Sequence, residues 1–485
     1  MTGASRVDPW RGATERRRSL WRRFTPPQLF VASFALLVAL GTLGLRLLPG
    51  LTTGAPLGWL DALFTAASAA CVTGLTVVDT GTFFTAAGQA FLLLLIQLGG
   101  LGMITFTTLI ILALGRRLSL RHERLAASGA EVAPLVPVER LARDVVLVTL
   151  GVETLGALAL WLLWGSRLGW GAAAWPAVFH AVSAFCNAGF STFSDSLIGF
   201  QRSPGTLLVV ATLVVVGSTG FLTLEEVGLR AAAWRRRASG RRRHAGAPRP
   251  TPLSLHSRLA LASTVLLLAL GWALFALFEW RGALAPLGAG DKLAASFFLS
   301  VTPRTAGFNV IDYGAATDST NFLTILLMFV GGSPGSTAGG IKTTTAALVV
   351  LLAWDRFRGR EVTDFRGRSV PAATVERAVG LTVVAFAAVT ASIFAFTWTE
   401  RAGVFEGTAG GRVFLAHMFE AVSAFNTVGL SMGVTGALSP AGKLLAVVLM
   451  FLGRVGPLTF AAALALAGHR ARTDYRHAYE DVVVG

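Results

Sequence analysis

"FTAASAACVTG", residues 64–74, returns three more times: "FHAVSAFCNAG" at 179–189, "FFLSVTPRTAG" at 297–307 and "FEAVSAFNTVG" at 419–429. The four copies align without gaps from a phenylalanine to a glycine ten residues later. A bulky apolar residue follows each glycine (Leu75, Phe190, Phe308, Leu430), then a small polar one (Thr76, Ser191, Asn309, Ser431). The glycines lie 115, 118 and 122 residues apart, and self-similarity at a near-fixed period marks a chain built from one repeated unit. A lone glycine in an apolar segment would read as a helix-packing contact. Four at matched offsets point instead to a shared backbone role.

Each copy sits between two apolar runs. The first spans read as 27–48, 138–164, 257–279 and 372–397, the second as 84–114, 204–229, 319–353 and 440–468. About ten residues precede each repeat glycine, and a helix of that length reaches about halfway through a bilayer core of roughly 30 Å. Such segments enter and leave from one face. Non-helical backbone at membrane depth is tolerated where protein covers it or where it lines a watery path. The expected fold is therefore an all-α polytopic membrane protein, with four span–pore loop–span repeats in pseudo-fourfold arrangement around one central pore. The expected segments are a basic N-terminus (1–25), repeat 1 (26–115), repeat 2 (138–230), a basic loop (231–256), repeat 3 (257–353), repeat 4 (372–468) and a C-terminal tail (469–485). Each short helix would aim its partially negative C-terminal end at the axis. The glycines Gly74, Gly189, Gly307 and Gly429 then allow backbone angles that turn carbonyl oxygens inward. A ring of such carbonyls can replace the hydration shell of a monovalent cation.

Composition supports a membrane protein: 53% hydrophobic, 14% charged, mean hydropathy +0.63. The net charge of +16 does not imply nucleic acid. Of 42 Lys and Arg, 31 fall in five segments (1–25, 115–143, 230–258, 354–377 and 469–485) that alternate with the hydrophobic pairs. Basic charge gathered beside spans places those segments, and both termini, in the cytoplasm. Two cysteines, Cys71 and Cys186, exclude a disulfide scaffold, and the arginine-rich start carries no convincing cleavage site. No nucleophile–base pair or metal-ligand cluster stands out, so an enzyme is not expected.

The third inner span is interrupted by "GGSPGSTAGGIKTTT", 331–345. It nearly spells a phosphate-binding loop, but Ile341 displaces Lys342 from its place in that motif, and both flanks are apolar. Gly331, Gly332, Gly335, Gly339 and Gly340 loosen the backbone, and Pro334 removes a donor while serines and threonines offer replacement bonds. Such a segment costs little to rearrange, as a gate requires. Lys342 is either a cation beside the pore or a stem reaching for the cytoplasm. In the fourth inner span "GRVGPLTF", 453–460, matches "GGLGMITF", 99–106, with Arg454 in place of Gly100. A charge at membrane depth costs at least about 2.5 kcal/mol on insertion scales, which makes Arg454 a functional candidate. Repelling cations and satisfying loop carbonyls are its two readings.

The four-unit plan, the single glycine per loop, "TPRTAGFN" in the third and the broken helix together resemble the Trk/Ktr/HKT superfamily of potassium transporters, over nearly the whole chain. With one span before the first pore loop, the chain resembles the bacterial KtrB type. The alternative is a TrkH-type or sodium-permeable relative with different ion coupling. The resemblance implies potassium uptake across the cell membrane, with a selectivity filter at Val72, Thr73 and Gly74; Asn187, Ala188 and Gly189; Thr305, Ala306 and Gly307; and Thr427, Val428 and Gly429. Gly74, where sodium-transporting plant members carry serine, favours potassium. It also implies gating by the intramembrane loop with Arg454, sodium as a candidate coupling ion, a homodimer, and a cytoplasmic nucleotide-binding regulatory ring of the KtrA/TrkA type. The sequence singles out a few further residues. Asp79, Asp195 and Asp312 follow filter glycines and are either cation-concentrating acids or solvated loop residues. Glu153 is an intramembrane carboxylate expected to pair with a neighbouring helix, and His180 and His417 fall near pore-helix starts.

Overall fold

The structure, a computed structural model, describes residues 26–123, 138–238, 253–400 and 412–456. The basic N-terminus, most of the 231–256 loop, the C-terminal tail and the end of the fourth inner span lie outside the described residues.

The chain is almost wholly helical. Unit 1 comprises α1 (Pro26–Leu47), the short α2 (Trp59–Ala70), a single turn α3 (Thr80–Phe83) and α4 (Ala86–Glu123). Unit 2 comprises α5 (Val138–Leu168), the short α6 (Trp170–Phe185), α7 (Pro204–Thr219) and α8 (Phe221–Ala238). Unit 3 comprises α9 (Leu255–Glu279), the short α10 (Ala289–Val301), α11 (Asp318–Phe329) and α12 (Thr343–Phe357). A small antiparallel hairpin, β1 (Asp364–Phe365) with β2 (Arg368–Ser369), turns through Arg366 and Gly367, both at positive φ, and leads into unit 4. That unit comprises α13 (Ala372–Thr399), the short α14 (Val413–Phe425) and α15 (Pro440–Val455).

Local chemistry sets the starts of several helices. Ser254, Thr317 and Ser439 cap α9, α11 and α15 by accepting the amides of Ser257, Thr320 and Gly442. Pro440 opens α15, where its missing N–H is harmless. The outer helices turn Leu36, Leu155, Leu266 and Phe394 outward, while the short helices α2 and α14 are buried along most of their length. In a bilayer that outward apolar surface is matched to lipid, so close packing and hydrogen bonds must hold the units together. Small residues permit it: five of the twelve residues of α2 are alanine, and Phe64, Phe179, Phe298 and Phe419 are fully buried on the short helices. Ion pairs tie unit 4 to its neighbours, Lys443 to Asp61 of unit 1 at 2.7 Å and Arg412 to Asp318 of unit 3 at 3.0 Å.

Three features depart from a simple four-fold plan. First, the repeats are not gap-free. Ser183 donates to the carbonyl of Phe190 and Thr302 to that of Phe308, so the third copy is one residue shorter before its glycine. Its buried phenylalanine is accordingly Phe298 rather than Phe297. Second, the inner span expected over 204–229 is not continuous: α7 and α8 meet at Gly220, φ +89°, with a bend of 107°. Third, five helices among the described residues are long and apolar enough to cross a membrane, or six with the bent pair as one span. The other two inner spans expected are the interrupted third and the fourth, described only to Gly456.

Candidate functional site

The four repeat glycines converge. A methyl group placed on Gly74 would lie 2.3 Å from the carbonyl oxygen of Ala188, and one on Gly189 would lie 3.0 Å from that of Ala306. From Gly307 the neighbour is the carbonyl of Val428 at 2.5 Å, and from Gly429 that of Thr73 at 2.0 Å. Unit 1 thus meets 2, 2 meets 3, 3 meets 4 and 4 returns to 1. This closed cycle is a pseudo-fourfold ring in a single chain.

The backbone is shaped alike in all four units. Val72, Asn187, Thr305 and Thr427 all take positive φ, between 51° and 69°, and the glycine two residues on does so too, between 71° and 95°. Positive φ in β-branched residues is costly and persists only where the surroundings over-determine it. The surroundings here include α2 and α14, whose Ser68 and Ser423 hydroxyls accept the amides of Gly74 and Gly429. The residues expected at the filter are therefore brought together as four equivalent turns, buried throughout except at the partly exposed Gly429. A cavity of about 340 Å³ opens onto the ring and includes all four glycines in its wall.

Residues 331–342 fold into a loop on the other side of the ring, and 343–345, expected to share the interruption, already begin α12. Its neck is closed by a bridge between Val330 and Ile341 and by the Gly331 amide donating to the Ile341 carbonyl at 2.8 Å. Gly339 and Gly340 lie against Thr427 and Asn426, and Gly331 approaches Thr305. The Ser333 amide donates to Ser218, that of Thr337 to Gly217, and that of Phe221 to Gly335. A side chain on Gly220 would meet the carbonyl of Pro334 at 2.5 Å, so the α7–α8 bend and the loop occupy each other's space. Lys342 precedes α12 and turns its ammonium back to the Ala338 carbonyl, into the loop rather than away from it.

Arg454 is fully buried and grips this loop, donating to the carbonyl of Thr337 and, at 3.2 Å, to that of Gly99 in α4. Among the described residues no carboxylate pairs with it. Of the three aspartates, Asp79 lines the cavity. Partial burial pushes its carboxyl up, but hydrogen bonds from Ser194, Gly81 and Thr82 outweigh that and hold it below the usual range. Asp312 instead caps a turn at Gly314. Glu153 accepts from Gln97 of α4 at 3.1 Å and lies beside the Cys186 thiol.

Sequence reasoning missed two sets of residues. Gly99, Gly217 and Gly453 press against the carbonyls of Ala70, Phe185 and Phe425 at the ends of the short helices, where a Cβ would come within 2.0 Å or less. Their signal was present: "GGLG", "GSTG" and "GRVG" recur 25, 28 and 24 residues after a repeat glycine. The second is Arg304, 2% exposed, whose guanidinium reaches Thr264 and the Gly331 carbonyl at the loop's neck, each at 3.4 Å.

A family model described as TrkH, a cation transport protein, matches residues 27–468. The chain is 39% identical over 447 residues to Ktr system potassium uptake protein B of Bacillus subtilis, covering 92% of this chain and 94% of that one. It is 34% identical to the potassium/sodium uptake protein NtpJ of Enterococcus hirae, over 97% and 99% of the two chains. The fold matches the crystal structure of the potassium transporter TrkH from Vibrio parahaemolyticus with a TM-score of 0.68, at 19% identity, over 90% of this chain and 83% of that one.

Proposed function

The chain belongs to the TrkH cation transport protein family, and from that premise we propose that it takes up potassium along the axis of the glycine ring. What supports the reading is the closed cycle of contacts among Gly74, Gly189, Gly307 and Gly429, with four matched turns presenting backbone oxygens to one another. Carbonyls in that arrangement substitute for water around a bare monovalent cation, and no charged side chain is required. The relatives named for potassium uptake at 39% and 34% identity point to the same ion.

In this reading residues 331–345 block the pathway below the ring, and Arg454 holds the block in place while its charge repels cations. Opening requires the loop to leave Thr427, Asn426 and Arg454. Relatives named as parts of a Ktr system suggest that a cytoplasmic regulatory subunit drives that movement, on a homodimer of this chain in the bacterial inner membrane with both termini inside. Sodium permeation is the second reading, favoured by the relative named for both ions.

The experiment is uptake into liposomes under defined potassium and sodium gradients, paired with growth of a bacterium lacking its own potassium uptake. Potassium flux and rescue at low potassium are expected. Flux of sodium alone, or of neither ion, overturns the assignment.

A further inference from the structure

We propose that His180 and Glu420 are positioning residues that hold the outer side of the ring on two opposite flanks, and that ion discrimination depends on them. The inference rests on the reading of the ring as an ion filter. Both residues stand nine positions before a ring glycine, in α6 and α14, and both are fully buried. Both reach the serine two residues beyond that glycine. His180 Nε2 lies 2.9 Å from Ser191 Oγ, and the Glu420 carboxylate accepts from Ser431 Oγ at 2.9 Å and from Thr435 Oγ1 at 2.6 Å.

The two contacts carry the same polarity. His180 Nδ1 lies 2.8 Å from the Pro176 carbonyl, which can only accept, so the ring proton sits on Nδ1 and Nε2 is the acceptor. Each serine hydroxyl therefore donates inward to its short helix. Its lone pairs accept from the outgoing backbone: Ser191 from the amide of Phe193 at 3.0 Å, and Ser431 from those of Gly433 and Val434 at 3.1 and 3.3 Å. An acceptor, a hydroxyl and a backbone amide form one strut, and it recurs in unit 2 and unit 4.

Units 1 and 3 lack it. At the matched position of unit 1, Thr65 Oγ1 has no partner among the described residues, and unit 3, one residue shorter there, has the apolar Leu299, with Asn309 Oδ1 likewise unpartnered. Because the cycle of contacts runs 1–2–3–4, the two struts face each other across the axis. Ser191 and Ser431 both line the outer cavity, so the struts end at the ion's approach to the ring.

The test is rubidium uptake into liposomes by the full chain, competed by potassium or by sodium, with the ratio of the two inhibitory concentrations as the readout. Glu420→Ala and Ser431→Ala are expected to shift that ratio toward sodium by about fivefold, the weight of one hydrogen bond, and Ser191→Ala to do the same on the opposite flank. Glu420→Gln keeps an acceptor and is expected to keep the ratio, as is Thr65→Val, which removes an unpartnered hydroxyl. A purely structural role would lower the amount of protein without moving the ratio. Unchanged ratios in Ser431→Ala and Ser191→Ala, two small surface-cavity substitutions, overturn the inference. A wild-type chain without potassium-competed uptake overturns the filter reading itself.

Discussion

Gly74 and Gly429 combine a positive φ with a carbonyl of the next unit where a side chain would begin, so each is doubly constrained. Gly74→Ser or Gly429→Ser must displace a backbone oxygen of the ring, and the expected outcome is loss of growth rescue at low potassium, with sodium uptake rising relative to potassium. Arg454→Ala removes a buried charge and its bonds to Thr337 and Gly99, so basal flux should rise in liposomes lacking any regulatory subunit. Unchanged flux at equal protein would sink the gating role. Asp79→Asn removes a cavity charge worth about 1 kcal/mol or less to a nearby cation in water. It should raise the half-saturating potassium concentration by no more than about fivefold, and added salt should shrink the difference. Because the Asp79 carboxyl titrates below the usual range, this contribution should persist as pH falls through ordinary carboxylate values and vanish only below them. The ring glycines and Arg454 were legible because both break a pattern, one by repetition and the other by charge. Arg304 was not: in "TPRTAG" it passes for a loop residue, and its burial depends on tertiary neighbours, Thr264 and the Gly331 carbonyl, that lie far off in the sequence.

Helix positions were readable from hydropathy, but breaks were readable only where composition announced them. Five glycines and a proline advertise the interruption at 331–345, whereas the α7–α8 bend hides in "VVVGSTGFLTL", which is as apolar as an unbroken span. The bend exists because the loop's Pro334 carbonyl fills the space beside Gly220 and the Phe221 amide pairs with Gly335. A tertiary contact decides it, and that contact joins residues more than a hundred positions apart. The small-residue contacts behind the ring are strict for the same reason. Gly217→Ala would drive a methyl to 1.9 Å from the Phe185 carbonyl, beyond the roughly 1–3 kcal/mol usual for overpacking. The expected result is loss of folded protein by size-exclusion of the detergent-solubilised chain. Gly102→Ala, whose new methyl would sit 3.9 Å from Phe34, should elute normally.

At the scale of the whole molecule, the ring must be closed between the last unit and the first, and Lys443 with Asp61 stands at that seam. Both side chains are partly exposed, so the pair should contribute about 1 kcal/mol or less. Lys443→Ala is expected to lower the thermal midpoint by a few degrees at most, and exchanging the two residues should restore it. A larger drop would mean that the seam carries more of the fold than its exposure implies.

A pathway whose four quarters are written in one reading frame feels each substitution once. An assembly of four identical subunits would carry a plug, or a guanidinium, four times over. In the proposed reading a single obstruction from unit 3 and a single cation from unit 4 suffice, and the remaining quarters are free to keep other chemistry at the same level. Asymmetry is therefore available to this transporter one codon at a time.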